Sequence, residues 1–291
     1  MPDHGHPIQF GYFLVPMAVE PLIETAQEAE RLGLDYLGIQ DHPYQRRFVD
    51  TFALMAAIAA ATDRIRLFPD VACLPLRPPG VLAKTAATID LLCGGRFELG
   101  LGAGSFWDAI AGYGGPRRAP GESLEALGEA MEIVRMVWSG ERSLRFEGRH
   151  YRLVGVHGGP PPAHDVGIWL GVYGPRALRL AGAKADGWVP SYRGDPEDLG
   201  RMVKRLDDAA VAAGRDPGVI RRVINVSGSI GPGADGPLAG PVERWADELS
   251  ELALRHGFDT FIFGNPDAGQ MARFAEGVAP AVRSRVAAAR G

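Results

Sequence analysis

Strand-like apolar runs alternate with helix-patterned segments along this whole 291-residue chain, and that order narrows the open folds more than any other feature. Residues 8–14 (IQFGYFL) predict a strand, and 19–33 carry apolar positions at helical spacing up to Gly33, a favoured helix stop. The pattern repeats at 35–40 then 51–62, at 65–71 then 79–93, and at 97–103 then 122–139. Between 141 and 166 it breaks. There RSLRFEGRHYRLVG predicts a small hairpin turning at Glu147-Gly148, followed by the Pro-rich GGPPPAH. The alternation resumes at 167–172 with helix 175–184, 186–190 with 196–213, 221–230 with 241–256, and 258–264 with 267–288.

A crossover helix returns the chain to the same end of a sheet, so this order predicts parallel strands. Eight such units permit closure into a barrel, for which roughly 250 residues in one domain is usual. The expected fold is therefore α/β: a single (β/α)8 TIM barrel over residues 1–291, with a short loop and hairpin excursion around 141–166. A doubly wound open sheet competes, but it usually carries a glycine fingerprint after the first strand, where this chain reads Gly11-Tyr12-Phe13-Leu14-Val15-Pro16. The 46% hydrophobic residues suffice for a large core.

The formal net charge of −4 offers no general attraction to polyanions, so nucleic acid is not an expected partner. Met1-Pro2-Asp3-His4-Gly5-His6 lacks a basic stretch followed by an apolar core, and no run approaches the roughly 20 apolar residues that span a bilayer. A membrane is not expected either. Only Cys73 and Cys93 occur, which reads as two thiols in a reducing compartment. The cytoplasm is the expected location.

In such a barrel the chemistry sits where strands end. The second strand ends in Gln40-Asp41-His42-Pro43-Tyr44-Gln45-Arg46-Arg47, the densest polar cluster of the chain. A carboxylate beside an imidazole can hold the ring's tautomer and orient it for proton transfer, which makes Asp41 and His42 the candidate catalytic pair. The third strand leads to Asp70-Val71-Ala72-Cys73 and on to Arg77, either an anion ligand or a surface cation. The fourth ends in a glycine series, Gly100-Leu101-Gly102-Ala103-Gly104-Ser105, that would let a ligand approach the backbone. The fifth gives Gly171, then Gly174-Pro175-Arg176 opening a helix whose N–H groups and dipole favour a phosphate. The seven His are scattered and the first strand has no His-x-His pair, so no metal is expected.

With these residues in place, the sequence resembles the bacterial luciferase-like flavin- and deazaflavin-dependent oxidoreductases, the luciferase-like monooxygenase family. The resemblance is strongest in LPLRPPGVLAK, TID and GGRFELGLGAG between Arg64 and Ser105, with support from DYLGIQDH, IVRMVWSGERSLRFEGRHYRL and GPRALRLAGAKADGW. It implies a barrel, usually dimeric, holding a cofactor ring and a small-molecule substrate at the C-terminal strand ends. Members use either coenzyme F420 for hydride transfer or reduced FMN with oxygen, the flavin then coming from a separate reductase.

Asp41-His42 is similar to the Asp-His of the deazaflavin branch, where the Asp contacts the cofactor and the His handles a proton. The resemblance therefore favours coenzyme F420, with FMN as the alternative cofactor and a non-catalytic flavin-binding barrel as a further reading. It also implies a non-prolyl cis peptide at Asp70-Val71 or one bond either side, in a bulge behind the cofactor ring. The expected cofactor-binding set is Asp41, Asp70, Val71, Ala72, Gly102, Gly104, Ser105, Gly171, Gly174 and Arg176. Sugar-phosphate dehydrogenases of that branch carry a Glu where this chain has Ser105 or Phe106, and their phosphate-binding Lys and Arg are not evident. Phe106, Trp107 and Tyr113 instead suggest a pocket for an apolar or conjugated molecule.

Overall fold

The computed structural model describes residues 3–232 and 238–291. In chain order the first half runs β1 (Gln9–Leu14), α1 (Leu22–Arg31), β2 (Tyr36–Ile39), α2 (Thr51–Ala61), β3 (Arg66–Pro69), β4 (Ala72–Cys73), α3 (Pro79–Leu92), β5 (Leu99–Gly102), α4 (Trp107–Gly112) and α5 (Pro120–Trp138). Then come β6 (Leu144–Glu147), β7 (Arg152–Val156), β8 (Ile168–Leu170), α6 (Pro175–Lys184), β9 (Gly187–Trp188) and α7 (Pro196–Ala212). The chain closes with β10 (Arg221–Ser227), β11 (Ser229–Ile230), β12 (Ala239–Gly240), α8 (Val242–His256), β13 (Thr260–Gly264), α9 (Ala268–Arg273) and α10 (Ala279–Arg290).

Every strand–helix unit expected from the sequence is present, with ends that shift by a few residues. Three expected elements are interrupted. The strand over 65–71 splits around Asp70-Val71, and the one over 221–230 splits at Gly228, where an added Cβ would lie 1.8 Å from the Leu238 carbonyl oxygen. The helix over 267–288 passes through a π-helical turn at Phe274–Val278. The expected hairpin forms as β6 and β7, antiparallel. Its turn is held by one side chain of α5: the Glu129 carboxylate accepts from the backbone N–H groups of Arg149, His150 and Tyr151.

The chain divides into two compact units. The first comprises Met1–Leu14, Glu24–Gly38 and Val172–Gly291. Its strands run in the order β2, β1, β13, β10, β9, and β13 pairs in parallel with both β1 and β10. Phe10, Phe261, Phe263, Phe274 and Trp245 fill its core, with Phe263 stacked on Phe274 at 4.6 Å between ring centroids. Caps start and stop its helices. Asp195 accepts from the N–H groups of Glu197 and Asp198 ahead of α7, and Gly257 adopts φ 71° to end α8.

The second unit comprises Val15–Ile23 and Ile39–Gly171. Here β4, β5 and β8 are parallel neighbours, and a parallel bridge from Leu67 to Phe97 ties β3 to the entry of β5. All four residues of β5, LGLG, are buried, as expected of a parallel strand covered on both faces. Asp90 of α3 fastens the end of the excursion, accepting from the N–H groups of Ala163 and His164 and pairing with the His164 ring at 2.9 Å. The expected candidate residues up to Gly171 all belong to this second unit, whereas Gly174 and Arg176 belong to the first.

Candidate active site

The end of β2 delivers Gln40, Asp41 and His42 in succession, and the three side chains meet different partners. Asp41 is 1% exposed. Its Oδ2 accepts from Arg77 Nε at 2.7 Å and from the Cys73 backbone N–H at 2.9 Å, and its Oδ1 accepts from Arg77 Nη2 at 2.6 Å. The same Nη2 donates to Asp50 Oδ2 at 2.9 Å. Asp50 in turn caps α2 by accepting from the N–H groups of Phe52 and Ala53. One guanidinium thus ties the end of β2, the segment after β4 and the start of α2 together, and it lies over the Phe52 ring at 4.3 Å.

From the sequence, Arg77 is either an anion ligand or a surface cation. The structure gives it to Asp41 and Asp50. Burial alone would lower the Arg77 pKa, but its hydrogen bonds to the two carboxylates and their charges hold it above its ordinary value. Asp41 itself does not reach His42 in a hydrogen bond. The expected pairing of a carboxylate with the ring is replaced by Gln40, whose Nε2 lies 3.2 Å from His42 Nδ1.

His42 is half-buried in an aromatic cluster. Tyr44 stacks on its ring at 5.3 Å with 20° between planes, and Phe106 meets it edge-on at 5.5 Å. Burial lowers the His42 pKa below its usual 6.5, against the pull of the Asp41 charge. Burial pushes the Tyr44 hydroxyl up to about 12, with the charges of Cys73 and Asp41 adding to the rise. The Cys73 thiol is pushed up to about 11, again chiefly by burial. The cluster therefore holds a neutral phenol, a neutral thiol and an imidazole biased toward its neutral form near pH 7.

Of the aromatics expected to line a pocket, Phe106 joins this cluster and stays 57% exposed, so its ring is available to a ligand. Tyr113 is exposed at the end of α4. Trp107 packs beside Gly104, whose added Cβ would lie 3.2 Å from it and 2.7 Å from the Pro75 ring. Ser105 is exposed at the surface beside them.

The peptide bond Asp70-Val71 is cis, as the resemblance implies. Asp70 is buried and its N–H donates to the Ile39 carbonyl, while Ala72 enters β4 opposite Leu101. Val71 explains part of the glycine series. A Cβ on Gly102 or on Gly171 would lie 2.8 Å from Val71 Cγ2, and one on Gly100 would lie 3.1 Å from Val71 Cγ1. The side chain of Val71 thus occupies a shelf that three glycines leave open.

Gly174 precedes α6 with no side-chain cap, and Pro175 occupies its first turn, which leaves the helix N-terminus to backbone donors. Arg176 is exposed in that first turn. A separate groove of about 490 Å³, lined by Pro79, Lys84, Val137, Tyr151, Leu153 and Val156 among others, includes none of the expected site residues.

The model of one family, described as luciferase-like monooxygenase, matches residues 4–236. The chain belongs to that family. Similar luciferase-like proteins include an F420-dependent glucose-6-phosphate dehydrogenase from Nocardia farcinica, 33% identical over 213 residues that are 70% of this chain and 63% of the relative. Another, of the same name, from Microbacterium testaceum, is 31% identical over 79% of this chain and 70% of its own length. The chain thus spans under two thirds of the Nocardia farcinica relative.

Among solved structures, an F420-dependent secondary alcohol dehydrogenase in complex with an F420-acetone adduct superposes with a TM-score of 0.84 at 22% identity, covering 95% of this chain and 99% of that one. A long-chain alkane monooxygenase gives 0.82 at 15% identity, covering 96% and 92%. These likenesses show the fold, the TIM-barrel class of luciferase-like proteins that the strand–helix alternation predicts.

Proposed function

We propose that this luciferase-like protein is an oxidoreductase that binds coenzyme F420 and serves hydride transfer to or from a small substrate. The observation that carries the reading is the His42 cluster. A proton-handling ring sits at the end of a strand, biased to its neutral form, faced by Tyr44 and edged by a partly exposed Phe106. The similarity to F420-dependent glucose-6-phosphate dehydrogenases supports the same choice of cofactor. When bound, that cofactor supplies the hydride chemistry, and the protein supplies orientation and electrostatics.

Two features fit such a group. The Val71 side chain fills the shelf opened by Gly100, Gly102 and Gly171, a smooth apolar surface against which a flat ring can rest. The uncapped start of α6, at Gly174 and Arg176, suits a phosphate. In this reading Asp70, Val71, Ala72, Gly102, Gly104, Ser105 and Gly171 shape the ring's surroundings. His42 is the proton-handling group that faces the substrate, and Asp41 anchors the loop that carries it. Phe106 favours an apolar or conjugated substrate. The resemblance puts Ser105 or Phe106 where sugar-phosphate dehydrogenases of the branch carry Glu, so glucose 6-phosphate is not the substrate proposed.

The resemblance also implies a homodimer, and α3 supports it by leaving Val81 64% and Leu92 67% exposed. They lie about three turns apart, on one face. No helix among the described residues is long and apolar enough to cross a membrane. With Cys73 and Cys93 buried as free thiols, the proposed setting is the cytoplasm and the proposed organisation a single domain.

Titrating the full chain with F420 and, separately, with FMN while following cofactor fluorescence tests the reading. Quenching by F420 at lower protein concentration than FMN is the expected result. Preference for FMN would instead favour the monooxygenase reading, with a reductase partner. Binding of F420 without turnover of its reduced form against any carbonyl or alkene panel would favour sequestration.

A further inference from the structure

We propose that Gln40 is the positioning residue for His42: its side-chain amide donates to Nδ1, keeps the neutral ring's proton on Nε2, and turns His42 into a hydrogen-bond donor toward a ligand that presents an acceptor oxygen. The inference deepens the oxidoreductase reading and rests on it for the ligand's role, while the tautomer itself is a property of the protein alone.

An amide nitrogen has protons to give and no lone pair to offer. With the amide in this orientation, Nε2 3.2 Å from His42 Nδ1, Gln40 donates and Nδ1 accepts. A neutral imidazole has one donor and one acceptor nitrogen, which leaves the proton on Nε2. The competing group for this task is the adjacent carboxylate, but the Asp41 oxygens face Arg77 and the Cys73 N–H.

Gln40 is itself held. Its backbone carbonyl accepts from Thr51 Oγ1 at 2.7 Å, and Thr51 is 1% exposed at the first position of α2. The amide therefore extends from a fixed point of the strand end. Around the ring, Tyr44 covers one face and Phe106 meets it edge-on, and neither bonds to Nε2. Among the described residues Nε2 has no hydrogen-bond partner. Asp41 is the one charged group that acts on the ring, and Tyr44 is the other titratable neighbour, neutral over the working range.

The consequence for ligand class is direct. A ring that carries its proton on Nε2 donates to a carbonyl-type oxygen and polarises it, whereas drawing a proton from a hydroxyl would need the lone pair there. Protonation of the ring puts a hydrogen on Nδ1 as well, and the Gln40 amide must then turn its oxygen inward. Glutamine can make that turn. Glutamate at this position can only accept, so it would favour the Nδ1–H form and the imidazolium.

The test is ¹⁵N NMR of the full chain labelled at its seven histidines, recorded across pH, with the His42 signals assigned by their loss in His42→Asn. The expected wild-type spectrum has a protonated Nε2 and an unprotonated, hydrogen-bonded Nδ1 in neutral His42. Gln40→Glu is expected to move the neutral proton to Nδ1 and to raise the titration midpoint by about 1–3 pH units, the effect of an added opposite charge at contact distance. A wild-type ring protonated on Nδ1 overturns the proposal, whatever the variant does. So does a Gln40→Glu spectrum with tautomer and midpoint unchanged. No cofactor enters the measurement, so failure of F420 to bind would count against the oxidoreductase reading and leave the tautomer result standing.

Discussion

The guanidinium of Arg77 grips both carboxylate oxygens of Asp41, through Nε at 2.7 Å and Nη2 at 2.6 Å, and the pair is almost wholly removed from solvent at Asp41. This geometry makes Asp41 an anchor. A carboxylate that accepts two guanidinium hydrogens and a backbone N–H has three of its roughly four acceptor sites filled, and none of the three bonds goes to His42.

Removing the cation should therefore be a structural lesion. Arg77→Met leaves the Asp41 charge buried without its partner, a change that typically costs about 3–5 kcal/mol. Arg77→Lys restores the charge but not the two-pronged fork, and should recover only part of the loss. Denaturant midpoints of the two variants measure this. A cost below about 1 kcal/mol for Arg77→Met would put the pair in the range of exposed ion pairs and refute the anchor.

Asp50 brings a pH dependence of known sign. Burial would raise its pKa, but the N–H groups of Ala53 and Phe52 together with Arg77 hold it below the usual 3.8. A group whose folded pKa is depressed contributes stability that is full above its unfolded value and fades as the pH falls through the folded one. The contribution should thus persist above pH 3.8 and disappear progressively below it. In Asp50→Asn the stability lost on acidification should be smaller than in wild type. Parallel acid curves for the two proteins would show that Asp50 contributes nothing there.

Much of the fold was legible because alternating period and glycine stops are local signals. The run 175–184 was placed to the residue, since Gly174-Pro175 marks a helix start by its own backbone chemistry. The π turn at Phe274 was not legible: Phe274 stacks on Phe263 and meets Trp245 edge-on, contacts no local window contains. The candidate site divides the same way. Its loop was conspicuous from Gln40 to Arg47, but the roles within it were assigned by adjacency. Asp41 and His42 are neighbours in sequence and point to different partners. Arg77, which decides where Asp41 points, is remote in the chain. The one available signal for Gln40 was its spacing, two residues from His42 on a strand end, where alternate side chains share a face.

Asp90 carries the excursion's attachment and should be intolerant of truncation. It is fully buried in α3 and accepts from the N–H groups of Phe97, Ala163 and His164 as well as contacting the His164 ring. Each buried donor left without a partner costs about 1–3 kcal/mol. Of the three donors only the Phe97 N–H is fully buried, so Asp90→Ala should lower stability by about 1–3 kcal/mol and raise amide exchange at Ala163 and His164 first. Asn, which keeps one acceptor oxygen, should cost less. Equal losses for Ala and Asn would mean that the negative charge, and not the acceptor geometry, is what holds the segment.

The Val71 shelf allows a sharper test, because the glycines around it differ in what stands in the way. At Gly171 the three atoms nearest an added Cβ all belong to Val71, Cγ2 at 2.8 Å and Cγ1 at 3.1 Å among them. At Gly100 it would also meet the Pro69 carbonyl oxygen at 2.0 Å, which is backbone and has no rotamer to change. Overpacking of this kind typically costs about 1–3 kcal/mol, and more where backbone must move. Gly171→Ala should thus be destabilised by roughly that amount, and Val71→Ala should rescue most of it. Gly100→Ala should be worse and should not be rescued. Double-mutant cycles on denaturant midpoints read the difference, with a favourable coupling of about 0.5–3 kcal/mol expected between positions 71 and 171. If the shelf also backs the cofactor, Val71→Ala alone should weaken F420 quenching while leaving the fold intact. Additivity of the 71 and 171 substitutions would show that the glycine is there for another reason, and direct approach of a ligand to the bare backbone would become the better account of it.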